Sequence, residues 1–147
     1  MSKALIVFAT RSGQTERIAE LIAEGLRMTG MEVELKNASA VKDPADLNGY
    51  DAYLFGSATY HGEMMPSMKQ LLFIAEKADL EGKCGGSFGS YGWSGEAVKI
   101  VTEELKAMHF EVVEPGLKLQ YVPTEEGVRA CYDLGKKVAD RLKEITD

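Results

Sequence analysis

The sequence predicts a three-layer α/β fold, a doubly wound parallel sheet of five strands in the order 2-1-3-4-5, and three observations carry that prediction. Short apolar runs alternate with segments of helical period along the whole of the 147 residues. The first and third runs, ALIVFA (4–9) and YDAYLFGSA (50–58), are apolar almost throughout, as strands covered on both faces must be. The second, MEVELK (31–36), alternates strictly, with Val33 and Leu35 on one side and charges on the other, which marks a half-solvated edge. In such a sheet a ligand sits outside the carboxyl ends of the central strands, where the loops 10–15, 57–65 and 90–95 converge.

Each element has its own justification. After the first strand, residues 14–29 set Ile18, Leu21, Ile22, Gly25 and Leu26 on one helical face, and Gly30 stops the helix. Asp43-Pro44 is an N-cap with proline at the first helical position, so a short helix is expected there. Pro66 opens a helix through Met68, Leu71, Leu72 and Ala75. CGGSFGSY (84–91) stands where the fourth strand must be, although Gly85 and Gly86 weaken it; the pair either admits the close approach of a neighbour or a ligand or has no role beyond packing. Ser94 is the expected cap of a helix that turns Val98, Val101, Leu105 and Met108 inward. FEVVEPGLKLQYV (110–122) reads as a last strand interrupted at Pro115-Gly116, which places it at an edge. Thr124 then caps a long helix with Val128, Cys131, Gly135, Val138, Leu142 and Ile145 on its core face.

Composition bounds the function. The length suits one domain, 1–147, and 45% hydrophobic with 27% charged residues is ordinary globular material. A net charge of −6 argues against nucleic-acid binding, and no apolar run approaches a membrane span. Two cysteines and two histidines, without ligand spacing, argue against a metal site. Reduced thiols and the absence of a leader pattern are expected of a cytoplasmic protein.

The three loops carry the chemistry. In TRSGQT (10–15), Thr10, Ser12 and Thr15 offer hydroxyls, Gly13 lets successive N–H groups converge, and Gln14 begins a helix whose positive end favours an anion. Arg11 adds a charge or points to solvent, and solvent is the expectation. The GK[ST] ending of a nucleotide-hydrolysing loop is missing. A phosphoacceptor domain would need acidic residues where Thr10 and Ser57 stand, and a low-molecular-weight phosphatase would need a cysteine opening the first loop. SATYHGEMM (57–65) supplies Tyr60, suited to stacking on a flat ring, and Gly62, which takes positive φ at little cost. SYGWSG (90–95) places Tyr91 and Trp93 around Gly92 in a stretch too polar to be interior.

IVFATRSGQTERIAELI (6–22) resembles the flavodoxin signature position by position, and the remainder of the chain is similar to short flavodoxins in length and element order. Flavodoxins are themselves a type example of the 2-1-3-4-5 order, with their flavin at the β1/β3 switch point. FGSYGWSGEAVK (88–99) looks like the matching segment in the flavodoxin domain of flavodiiron proteins, whose separate metal domain has no counterpart here. The resemblance implies FMN, its phosphate held by Thr10, Arg11, Ser12, Gly13, Gln14 and Thr15. The ring would be held by Ser57, Ala58, Thr59, Tyr60, His61 and Gly62 on one side and by Ser90, Tyr91, Gly92, Trp93 and Gly95 on the other. It also implies that the His61–Gly62 peptide can flip to offer a carbonyl to N5 of the reduced ring.

The function so implied is a non-covalent, low-potential electron carrier between redox partner proteins, without substrate turnover of its own. A monomer whose acidic surface meets basic docking faces is expected, with Glu63 and Glu96 near the flavin edge as tuning or rim charges. The alternative oxidoreductase is a small FMN-dependent NAD(P)H:quinone reductase, whose ring-binding loop SATYHGEMMP (57–66) resembles.

Overall fold

The computed structural model describes residues 2–92, 95–120 and 124–146. Its main sheet has five parallel strands: β1 (Lys3–Ala9), β2 (Glu32–Asn37), β3 (Ala52–Ser57), β6 (Cys84–Ser90) and β7 (Glu111–Leu119), in the order β2-β1-β3-β6-β7. This is the expected 2-1-3-4-5 order. Two further strands, β4 (Thr59–Tyr60) and β5 (Glu63–Met64), form an antiparallel hairpin beyond the end of β3.

Strand alternation divides the core into two layers. Ala4, Ile6, Phe8, Ala52 and Leu54 point to one face, where they pack with α1 (Gln14–Met28) and α4 (Glu125–Thr146). Leu5, Val7, Tyr53 and Phe55 point to the other, against α2 (Pro66–Ala75) and α3 (Glu96–Ala107). The glycine pair of β6 admits a neighbour and not a ligand: a Cβ on Gly85 would stand 2.8 Å from the ring of Phe110. Both cysteines are free and buried, and burial pushes their thiols up, Cys84 to about 11 and Cys131 to about 12.

Four local expectations are revised. The helix at Asp43-Pro44 is a four-residue 3₁₀ turn, although Asp43 does form its capping box. Gly95 occupies the N-cap position of α3, and Ser94 lies outside the described residues. Pro115-Gly116 does not divide the last strand; β7 continues through it with a bulge opposite Gly86 and Phe88. Ile145 is exposed, and the last buried residue of α4 is Leu142. Thr124 caps α4 as expected, its hydroxyl accepting from the N–H of Gly127 at 2.9 Å.

The contact that fixes α1, and with it the loop before it, is glycine against backbone. A Cβ on Gly135 would lie 2.9 Å from the nitrogen of Leu26 and 3.1 Å from the carbonyl oxygen of Ile22. One on Gly25 would lie 2.8 Å from Cα of Tyr132. Main chain cannot swing aside as a side chain would. Gly135→Ala is therefore expected to destabilise by about 1–3 kcal/mol through overpacking, despite the better helix propensity of alanine. Thermal unfolding should show this as a fall of about 2–4 °C per kcal/mol.

Candidate functional site

The loop after β1 turns into α1 through Gly13, whose φ of 90° is the left-handed conformation that only glycine adopts freely. The Thr10 hydroxyl accepts from the N–H of Gly13 at 2.9 Å, tightening the turn. Among the described residues no side chain caps α1. Its first-turn N–H groups therefore point out of the helix end without a side-chain acceptor, adding to the positive end of the helix dipole. Thr10, Ser12 and Thr15 do not serve as an ordinary N-cap.

One cleft of about 340 Å³ brings the three loops together, lined by Arg11, Ser12, Gln14, Ala58, Thr59, Ser90, Tyr91 and Gly92. It opens at the carboxyl ends of β1, β3 and β6, where the strand order reverses. Trp93 lies outside the described residues. Gly95 lines instead a neighbouring groove of about 500 Å³ between α3 and β7, together with Val98, Lys99, Pro115 and Lys118.

Several of the other residues brace the cleft. Thr15 is fully buried, and its hydroxyl, expected to face an anion, shares a 2.7 Å hydrogen bond with the hydroxyl of Ser90. That bond ties the first loop to the end of β6. Ser57 is also fully buried: its hydroxyl donates to the Ala58 carbonyl and accepts from the N–H of Met65, both at 2.8 Å. It closes the 57–65 loop on itself. The Ala58 N–H donates to the Ala9 carbonyl at 3.1 Å, and the Thr59 hydroxyl accepts from the Ala97 N–H at 3.1 Å, capping α3 from across the cleft.

Arg11 is exposed, as expected, but its side chain is not free of partners. Its guanidinium stands 4.6 Å from the centroid of the Tyr60 ring, within cation–π range. The His61 ring meets Tyr60 edge-on, with centroids 4.2 Å apart. His61 and Gly62 form the two-residue turn between β4 and β5, with φ of 52° and 71°. Positive φ at both central residues is the type I′ pattern. Flipping its central peptide gives type II′, which keeps positive φ at the first position and prefers glycine there. That position is His61, so the cost of a flip, about 1–3 kcal/mol, falls on residue 61 and not on Gly62. Glu63 pairs with Lys69 at 3.9 Å, and Glu96 sits in the first turn of α3.

Two contributors escaped the sequence reading, Gln120 and Lys118. Gln120 donates from Nε2 to the Gly92 carbonyl at 2.8 Å, while the Tyr91 N–H donates to the Leu119 carbonyl at 3.2 Å. Lys118 lies 5.8 Å over the Tyr91 ring. Their place at the carboxyl end of the last strand was the available signal, since all site loops emerge at that level.

A doubly wound sheet whose switch-point cleft joins a bare helix N-terminus to two aromatic loops defines a class, an α/β domain for a ligand with an anionic end and a flat ring. The flavodoxin profile matches residues 6–135, and the chain belongs to the flavodoxin family. It is 36% identical over 150 residues to a protein named nitric oxide reductase from Moorella thermoacetica, and 35% identical over 153 residues to the coenzyme F420H2 oxidase of Methanocaldococcus jannaschii. Each alignment covers 97% of this chain but only 37% and 36% of those relatives' lengths. Among solved structures, a flavodoxin from the domain Archaea matches with a TM-score of 0.90 and 32% identity, over 96% of this chain and 99% of that one. Flavodoxin 2 from Bacillus cereus matches at 0.86 and 34%, over 95% and 99%. The family is one of FMN-binding electron-transfer proteins, and FMN is the cofactor. The residues present fit it: bare N–H groups suit a phosphate, and among the described residues no carboxylate lines the cleft.

Ser57→Ala should remove the acceptor of the Met65 N–H and cost about 1–3 kcal/mol, the penalty for an unpaired buried donor. Hydrogen exchange at Met65 should then accelerate while amides on α4 keep their relative protection.

Proposed function

We propose that this protein is an electron carrier that holds FMN without a covalent bond and passes electrons between redox partner proteins. The observation that carries the reading is the single cleft in which the bare N-terminus of α1 meets the 58–59 and 90–92 segments. Solved flavodoxins that match over 99% of their own length support the carrier reading. Bound FMN supplies reversible one- and two-electron chemistry. The protein's part is to position and to exclude. The N–H groups around Ser12 and Gln14 hold the phosphate, with the Thr10 and Ser12 hydroxyls beside them. Thr15 and Ser90 hold that loop at a fixed distance from the 90–92 segment. Tyr60 and Tyr91 wall the ring, with backbone from Ala58 to Gly62 and Ser90 to Gly92 at its polar edge. An overall charge of −6 opposes additional negative charge at the site and suits partners with basic docking faces. Buried free thiols and an acidic surface accord with a monomer in the cytoplasm.

A second reading, a small NAD(P)H:quinone reductase, is favoured by one observation, the groove of about 500 Å³ that adjoins the cleft at Gly95 and Lys118. Steady-state assay separates the two. The carrier reading expects negligible NADPH-dependent quinone turnover by the isolated protein, and rapid turnover would overturn it. Phosphate anchoring has its own test. Gly13→Ala forces a left-handed alanine, which costs about 1–2 kcal/mol. FMN affinity should fall about 5- to 30-fold, equivalent to that cost, while riboflavin, which lacks the phosphate, loses far less. Equal losses for both ligands would contradict phosphate binding at this loop.

A further inference from the structure

We infer that Arg11 sets the reduction potential of the bound flavin, acting at the ring end of the cleft and not as a phosphate ligand. The inference rests on the FMN reading above. Arg11 starts within the anion loop, yet its guanidinium lies 4.6 Å from the Tyr60 centroid, over a residue of the ring-binding loop. Of the described residues lining the cleft, Arg11 is the one with a formal charge. The nearby hairpin carboxylate, Glu63, is matched by Lys69, and no ion pair among the described residues holds Arg11 elsewhere. A guanidinium keeps its charge at any working pH. Stacking on Tyr60 keeps that charge beside the ring site despite its exposure.

The consequence follows from the charge balance of reduction. Oxidised flavin takes two electrons, delivered singly by a protein donor, and one proton from solvent; the product carries one additional negative charge. A fixed cation favours that product over the oxidised form. Arg11 thus offsets, at the site itself, the downward pull of the chain's overall charge.

The experiment uses the full chain and the variants Arg11→Gln and Arg11→Lys, each loaded with FMN and, separately, with riboflavin. The two-electron potential is read by equilibration with reference dyes under dithionite, at low and high salt. Arg11→Gln should lower the potential in both complexes, equivalent to an about two- to five-fold weaker preference for reduced flavin, the range for an exposed charge pair. Arg11→Lys should restore most of it, and high salt should shrink the difference. An unchanged potential in Arg11→Gln, with affinity lost for FMN but not for riboflavin, would overturn the inference and make Arg11 a phosphate ligand. Failure of the unaltered protein to take up either flavin would instead overturn the FMN reading itself, and this inference with it.

Discussion

The first turn of α1 presents backbone N–H groups that no side chain among the described residues caps, and the rest of the site depends on that deficit. A helix end of this kind is unfavourable unless water or a ligand accepts from it. Gly13, at a φ of 90°, turns the chain so that these groups face outward at the end of the sheet. The three hydroxyls nearby are set elsewhere or beside it: Thr10 on Gly13, Thr15 on Ser90, and Ser12 at the cleft wall. A dianion completes the helix end that the sequence leaves open.

Such a binding end is useful only if it stays at a fixed place relative to the ring loops. Two kinds of contact hold it. Below, Gly25 and Gly135 let α1 and α4 meet backbone to backbone, so α1 cannot slide without a clash. Above, Thr15–Ser90, Thr59–Ala97 and Gln120–Gly92 link the loops pairwise across strands distant in sequence. A phosphate anchored at one end therefore locates a ring at the other, which is the preorganisation a redox cofactor requires.

The architecture was legible because its signals are local. ALIVFA and the apolar part of YDAYLFGSA lack alternation since both faces are covered, and MEVELK alternates since one is not. The site loops could be placed because strand order alone brings their ends together. What was not legible depends on partners far away in the chain. The hydroxyl of Thr15 meets Ser90 across 75 positions, and no spacing reports that. The β4–β5 hairpin has two residues per strand, too few for a period to register. The exposed Arg11 has a companion that no spacing reports, because Tyr60 lies on another loop. Ile145 followed the helical stripe correctly, but the last buried residue of α4 is Leu142.

The central claim is that one cleft holds an anion at the start of α1 and a ring between the hairpin and the 90–92 segment. Amide shifts of the isotope-labelled protein, followed by NMR during titration with FMN, test it most directly. The account predicts the largest changes at residues 11–15, 58–62 and 90–92, with inorganic phosphate alone moving only the first set. Changes confined to the groove between α3 and β7, or a first set that stays still while FMN binds, would contradict it.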